Sequence, residues 1–226
     1  MKLLLHSLFL LLAFETQART HSCDVVIVGG TPAGITAAIA AAREGKNSVI
    51  LERSAHIGGL PANGLGATDI ATRGATAGLF DRFIALNKAY YESRYGADSP
   101  QARDCSDGYR FEPAVAQRTF ERMLAEAGPG KITVLTGRQF DAEARYVVKK
   151  GDRIVSIRVL DRTTGREEHY SGAMFIDATY EGDLGAAAGV PFRTGREGAG
   201  EYGEPCAGKI YRWWKHGPDA DGTTYE

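Results

Sequence analysis

The residues with the clearest chemical use lie in two glycine-marked turns, one further turn after a later apolar run, and one acid. Gly29-Gly30-Thr31-Pro32-Ala33-Gly34 follows the apolar run 24–28 and opens an Ala-rich stretch. A helix starting there presents unpaired N–H groups and a positive dipole end, a site for the pyrophosphate of a dinucleotide. Gly29 permits the sharp turn and Gly34 a close approach of helix to strand. Thr31 takes the middle glycine position, so the fingerprint reads GxTxxG rather than GxGxxG. Glu52 lies 18 residues beyond Gly34, where a carboxylate accepts hydrogen bonds from ribose hydroxyls. The same charge repels a 2′-phosphorylated cofactor. Arg53 follows at once, Gly58-Gly59 forms a second glycine turn, and Ala178-Thr179 closes a later apolar run.

Positioning these residues takes a β-α-β unit, which the pattern supplies. The run at 24–28 reads as a buried parallel strand, 32–44 as a helix closed by Gly45, and 48–51 as a second strand. A broad apolar face predicts a helix over 76–94. Glu112-Pro113 opens another to about 126, ended by Gly128-Pro129-Gly130. Residues 132–135 read as a third buried strand. From 144 to 171 the character changes to three short strands, at 145–148, 154–160 and 167–170, separated by turn signals. They form an antiparallel meander ahead of a fourth apolar strand at 173–178. The expectation is an α/β Rossmann-type domain over 23–190, with the meander inserted at one edge of a three-layer core. Residues 191–226 read as the start of a substrate-side segment, cut short in a polar tract.

Composition sets bounds. The 226 residues hold 27 basic and 28 acidic side chains, a balance that gives no sign of a nucleic-acid partner or a polybasic membrane patch. Three cysteines, Cys23, Cys105 and Cys206, lie too far apart for a zinc or redox pair, and no metal site is expected. Residues 1–18 read as a cleaved signal peptide: Lys2, an apolar core, then small residues ending at Ala18. Its apolar core, roughly 12 residues, falls short of the ~20 a membrane span needs. A secreted or periplasmic protein without a stable membrane anchor is therefore expected. No Arg-Arg pair precedes the core, so the twin-arginine route is not indicated.

The order of these motifs resembles the glutathione-reductase-like Rossmann flavoproteins. More narrowly, Gly29 to Gly34, Gly64 to Asp69 and Asp177 to Leu184 resemble a secreted FAD-dependent oxidoreductase family with GGTPAG and DATYEGDL segments. That resemblance implies FAD as cofactor, held by Gly29, Gly30, Thr31, Pro32, Ala33, Gly34, Glu52, Arg53, Gly58, Gly59, Ala178 and Thr179. It also implies flavin-mediated oxidation or reduction of a small-molecule substrate, in chains generally longer than this one. Leu60-Pro61-Ala62-Asn63 stands where disulfide reductases carry their cysteine pair, so dithiol chemistry is excluded.

No catalytic residue is assigned. His56 reads as a solvent-facing loop histidine ahead of a catalytic base. The resemblance places Asp69 and Arg73 near the flavin ring, against an equal reading as a loop-stabilising Asx turn and a surface arginine. It places Arg193, Arg196, Glu197 and Glu204 on the substrate side, while Trp213 and Trp214 read as packing. A truncated flavin-binding protein without turnover and an NAD-binding dehydrogenase domain stand as alternatives. Substrate, electron acceptor and oligomeric state stay open.

Overall fold

In the computed structural model, the described residues are 19–195, 197–205 and 207–210, with further two-residue strands at 213–214, 217–218 and 223–224. The expected signal peptide, Arg196, Cys206 and the side chains of Trp213 and Trp214 lie outside them. The chain divides into two compact units, Met1–Val190 and Pro191–Glu226.

The first unit opens with β1 (Arg19–Val28), α1 (Pro32–Arg43) and β2 (Ser48–Glu52). Four helices follow: α2 (Gly59–Ala62), α3 (Leu79–Tyr95), α4 (Pro100–Asp104) and α5 (Pro113–Ala127). Then come β3 (Ile132–Thr136), β4 (Arg138–Gln139), β5 (Val147–Lys150), β6 (Arg153–Asp161), β7 (Arg166–Asp177) and α6 (Asp183–Ala187). The sheet order is β3-β2-β1-β7-β6-β4, with β5 on β6. β3, β2, β1 and β7 run parallel, whereas β6 is antiparallel to β4, β5 and β7.

The continuous apolar runs of β1 and β2 follow from burial on both faces. Val25, Ile27 and Ile50 pack with Ile35, Ile39, Phe83, Phe120 and Met123 on the helical side. Val26, Val28, Val49 and Leu51 pack with Phe140, Ile157, Val159 and Tyr170 on the other. Helices, parallel strands and meander thus make three layers. Register then sets the site, because Val28 lies opposite both Leu51 and Asp177. The three turns that follow β1, β2 and β7 emerge side by side.

Two strands differ from the pattern read in sequence. β7 is one continuous strand of 12 residues, not a meander strand followed by a separate parallel one. β1 reaches back to Arg19, pairing with β7 from Arg19 opposite Glu168 to Val28 opposite Asp177. The polar start of β1 hid it, since Arg19, Thr20 and Ser22 supply no apolar run. His21 is nonetheless stacked on Tyr170, with ring centroids 4.7 Å apart. α3 begins at Leu79 rather than at 76, after Gly78 at φ 69°, and Thr76 instead donates its hydroxyl to Asp81.

In the second unit, α7 (Ala199–Tyr202) accompanies two antiparallel ladders. Lys209–Ile210 pairs with Thr223–Thr224, and Trp213–Trp214 with Gly217–Pro218. Arg193 donates to Glu201 at 2.6 Å.

Candidate cofactor site

A cleft of about 570 Å³ opens beyond the C-terminal ends of β1, β2 and β7. That is where open α/β sheets bind ligands, and the volume falls within the roughly 300–1,000 Å³ of small-molecule sites. Gly29, Thr31, Glu52, Arg53, Gly59 and Thr179 line it. The first turn fits tightly: Gly29 has φ 105°, and a Cβ there would come 2.5 Å from the Ala178 carbonyl oxygen. Only glycine holds the strand ends this close at that backbone angle.

Glu52 is 9% exposed and turned toward this first turn. Its Oε2 accepts the Gly30 N–H at 2.7 Å and its Oε1 the Ser54 N–H at 2.7 Å. A carboxylate offers about four lone-pair positions, so two remain for hydroxyls in the cleft. Thr31, 6% exposed, is the N-cap of α1. Its hydroxyl accepts the Gly34 N–H at 3.4 Å and donates to the Ala178 carbonyl at 2.8 Å. The threonine in the middle glycine position is thus a clamp between the first and last turns. Pro32 brings no N–H, and Ala33 is exposed at the helix start, where first-turn N–H groups lack intrahelical partners.

The turn after β7 is built by two side chains. The Asp177 carboxylate accepts the Thr179 N–H at 3.0 Å, the Thr179 hydroxyl at 2.7 Å and the Gly185 N–H at 2.8 Å. Thr179 Oγ1 accepts the N–H groups of Gly182 at 2.9 Å and Asp183 at 3.0 Å. The apex residues, Tyr180 and Glu181, project onto the cleft. Tyr180 accepts the Leu60 N–H, and Glu181 pairs with Arg53 at 3.6 Å. Asp183 also lines the cleft; burial and then the neighbouring Glu181 and Asp177 raise its pKa.

Arg138 and Phe140 complete the wall from the far side of the sheet. The Arg138 guanidinium donates to Glu168 at 3.1 and 3.3 Å, lies 3.4 Å from Asp161, and donates to the Thr136 carbonyl at 3.0 Å. Tyr170 donates its hydroxyl to the same Glu168 at 2.7 Å. Burial pushes the Glu168 carboxyl up, but the Arg138 and Tyr170 hydrogen bonds outweigh it and hold the pKa below the ordinary value. Burial, then the Glu168 carboxylate, pushes the Tyr170 phenol up.

The sequence-derived candidates are partly brought together. His56 is partly buried in the cleft wall, with its ring bond to Asn63 open to solvent. Asn63 donates its amide N–H to the Gly59 carbonyl at 2.7 Å, which leaves Asn63 Oδ1 to accept from His56 Nε2 at 2.9 Å. Arg73 is elsewhere: it donates to Asp107 at 3.1 Å and to Ser106 at 2.6 Å, and stacks 4.3 Å over Tyr109. It is a half-exposed arginine in an ion pair outside the cleft. Asp69 is an exposed loop residue at φ 49°. The cleft also includes Arg138, Phe140, Tyr180 and Asp183, outside the cofactor residues that the sequence motifs single out. Tyr180 and Asp183 had a signal in the DATYEGDL segment; Arg138 and Phe140 had none. Cys23 and Cys105 are free. No helix of the described residues is long and apolar enough to cross a membrane, and no group of His, Cys, Asp or Glu among them could hold a metal ion.

The family profile of FAD dependent oxidoreductases matches residues 24–220. The chain belongs to that family. Its cofactor is accordingly FAD, which displaces the NAD-binding alternative. No curated protein sequence matches the chain. Among solved structures, L-proline dehydrogenase from P. horikoshii is similar at 14% identity and TM-score 0.50, over 79% of this chain and 59% of that one. The FAD-complexed glycerol-3-phosphate dehydrogenase from Bacillus halodurans shares 14% identity at TM-score 0.48, over 74% and 36%. The myxobacterial chondrochloren halogenase CndH shares 18% at TM-score 0.46, over 70% and 37%. The first of these likenesses shows the fold. This chain of the FAD dependent oxidoreductase family spans less than two thirds of each of the three.

Proposed function

We propose that this chain supplies the FAD-binding part of an oxidoreductase acting on a small substrate outside the cytoplasm. The observation that carries the reading is the Glu52 carboxylate, fixed by Gly30 and Ser54 at the mouth of a cleft that α1 opens onto. Glu52 would accept the ribose hydroxyls of the adenosine half. The N–H groups around Gly29 to Gly34 would face the pyrophosphate, with Ala178 and Thr179 closing the opposite side. Arg53 borders the same end, and Gly58-Gly59 shapes the second turn. When bound, the flavin supplies the redox chemistry; the protein's own groups bind and orient it.

Export rests on residues 1–18, whose charge, apolar core and small terminal residues fit a signal peptide. The N-terminal sequence of protein recovered from the export fraction should begin at Arg19.

The test of the cofactor reading is uptake. Purified protein incubated with FAD and passed through gel filtration should elute with the flavin's visible absorbance. Glu52→Gln keeps the size of the side chain and removes its charge. Hydrogen bonds to charged groups contribute about 1.5–3 kcal/mol, so affinity should fall about 10- to 100-fold. Flavin eluting apart from the wild-type protein would overturn the reading, as would a Glu52→Gln variant that binds as tightly as its parent.

A further inference from the structure

We infer that the Tyr180 hydroxyl is an anion contact of the cleft, donating to a phosphate oxygen of the bound dinucleotide; this deepens, and rests on, the FAD reading above. Tyr180 is 56% exposed, lines the cleft and reaches across it to the second glycine turn. Its Oη accepts the Leu60 N–H at 2.8 Å, a contact between residues 120 apart in sequence. The end of its ring lies against Gly59, where any side chain would collide with it.

A phenol has one hydrogen to donate in addition to its lone pairs. With a lone pair engaged by Leu60, that hydrogen remains, and none of the hydrogen bonds among the described residues uses it. Accepting an N–H also polarises the O–H bond and strengthens it as a donor. The side chain does not reach this place by chance rotation. The Asp177 and Thr179 hydrogen bonds fix the turn that carries it on both sides of the apex.

Charge decides what the hydroxyl serves. A pyrophosphate brings negative charge into a cleft already lined by Glu52, Glu181 and Asp183. Of the two guanidinium groups in the wall, Arg138 is engaged with Glu168 and Asp161, while Arg53 faces Glu181 at 3.6 Å in an exposed pair. His56 Nε2 is engaged with Asn63. Neutral donors therefore share the phosphate recognition with Arg53. Backbone N–H groups of the first turn are one set, and the Tyr180 O–H is the side chain placed to join them.

Tyr180→Phe removes only the hydroxyl and leaves an exposed ring in place. FAD titrated into the full chain, followed by calorimetry, should bind the variant about 10- to 100-fold more weakly than wild type. The ³¹P spectrum of the bound FAD should show a displaced pyrophosphate resonance in the variant. Equal FAD affinity in the two proteins would overturn the assignment. Weaker binding with unchanged ³¹P resonances would also overturn it, since the hydroxyl would then only shape the Leu60 turn. If wild type itself takes up no FAD, the cofactor reading fails first and the Tyr180 contact with it.

Discussion

At the scale of single residues, the first turn depends on which atoms are missing as much as on which are present. A Cβ at Gly34 would overlap the carbonyl oxygen of Gly29, a backbone atom with no rotamer to escape into. Gly34→Ala must therefore push α1 away from the sheet, at a cost of typically 1–3 kcal/mol for an overpacked site. The urea midpoint should drop accordingly, and FAD affinity should drop with it, because the same shift loosens the Thr31 clamp on Ala178. An unchanged midpoint would mean that helix and strand separate freely here. Gly29, Gly34 and Glu52 were legible in the sequence because their chemistry is local: a turn, a close approach, and an acid one strand away. The role of Thr31 was half legible. Its position marked the helix start, but its bond to Ala178 joins residues 147 apart. Arg138 was not legible at all, since its partners Glu168 and Asp161 come from two other strands.

At the scale of elements, that same ion-pair group fastens the meander to the parallel strands. Glu168 on β7, Asp161 at the end of β6 and Arg138 on β4 meet where antiparallel and parallel pairing share one strand. Arg138→Ala would leave the Glu168 carboxylate without its cation, a loss of about 1.5–3 kcal/mol for a hydrogen bond to a charged group. The pH dependence has a definite sign. The folded pKa of Glu168 lies below its ordinary 4.5, so this stabilisation is present above that value and lost as pH falls through the lowered one. The stability gap between Arg138→Ala and its parent should therefore be widest near neutrality and narrow below pH 4.5. Urea unfolding across that range measures it; a gap independent of pH would show that packing, not charge, holds the meander. The long helices α1, α3 and α5 and the apolar strands were readable from apolar pattern and cap signals, whereas the one-turn helices α2, α4 and α6 were too short to leave one. The unbroken β7 was not, because its middle at Ser171-Gly172 carries the composition of a turn while its pairing to β1 continues through it.

At the scale of the whole molecule, every described wall of the cleft lies between Val28 and Asp183, inside the first unit. Cofactor binding and the stability of that unit are then linked, because a ligand that binds only the folded state stabilises it by mass action. At a free FAD concentration of 100 times Kd, the gain is about 2.7 kcal/mol. For a domain of this size each kcal/mol raises the midpoint by about 2–4 °C, so the melting temperature should rise by about 5–10 °C and keep rising with concentration. The choice of flavin separates the two halves of the cofactor. FMN carries the flavin ring and one phosphate but no adenosine, so it has nothing to offer the Glu52 carboxylate. Matched concentrations of FAD and FMN in a thermal melt should give a shift with FAD and a much smaller one with FMN. Equal shifts would mean that Glu52 serves only the fold of the first turn, through Gly30 and Ser54, and that recognition of the dinucleotide lies with other residues.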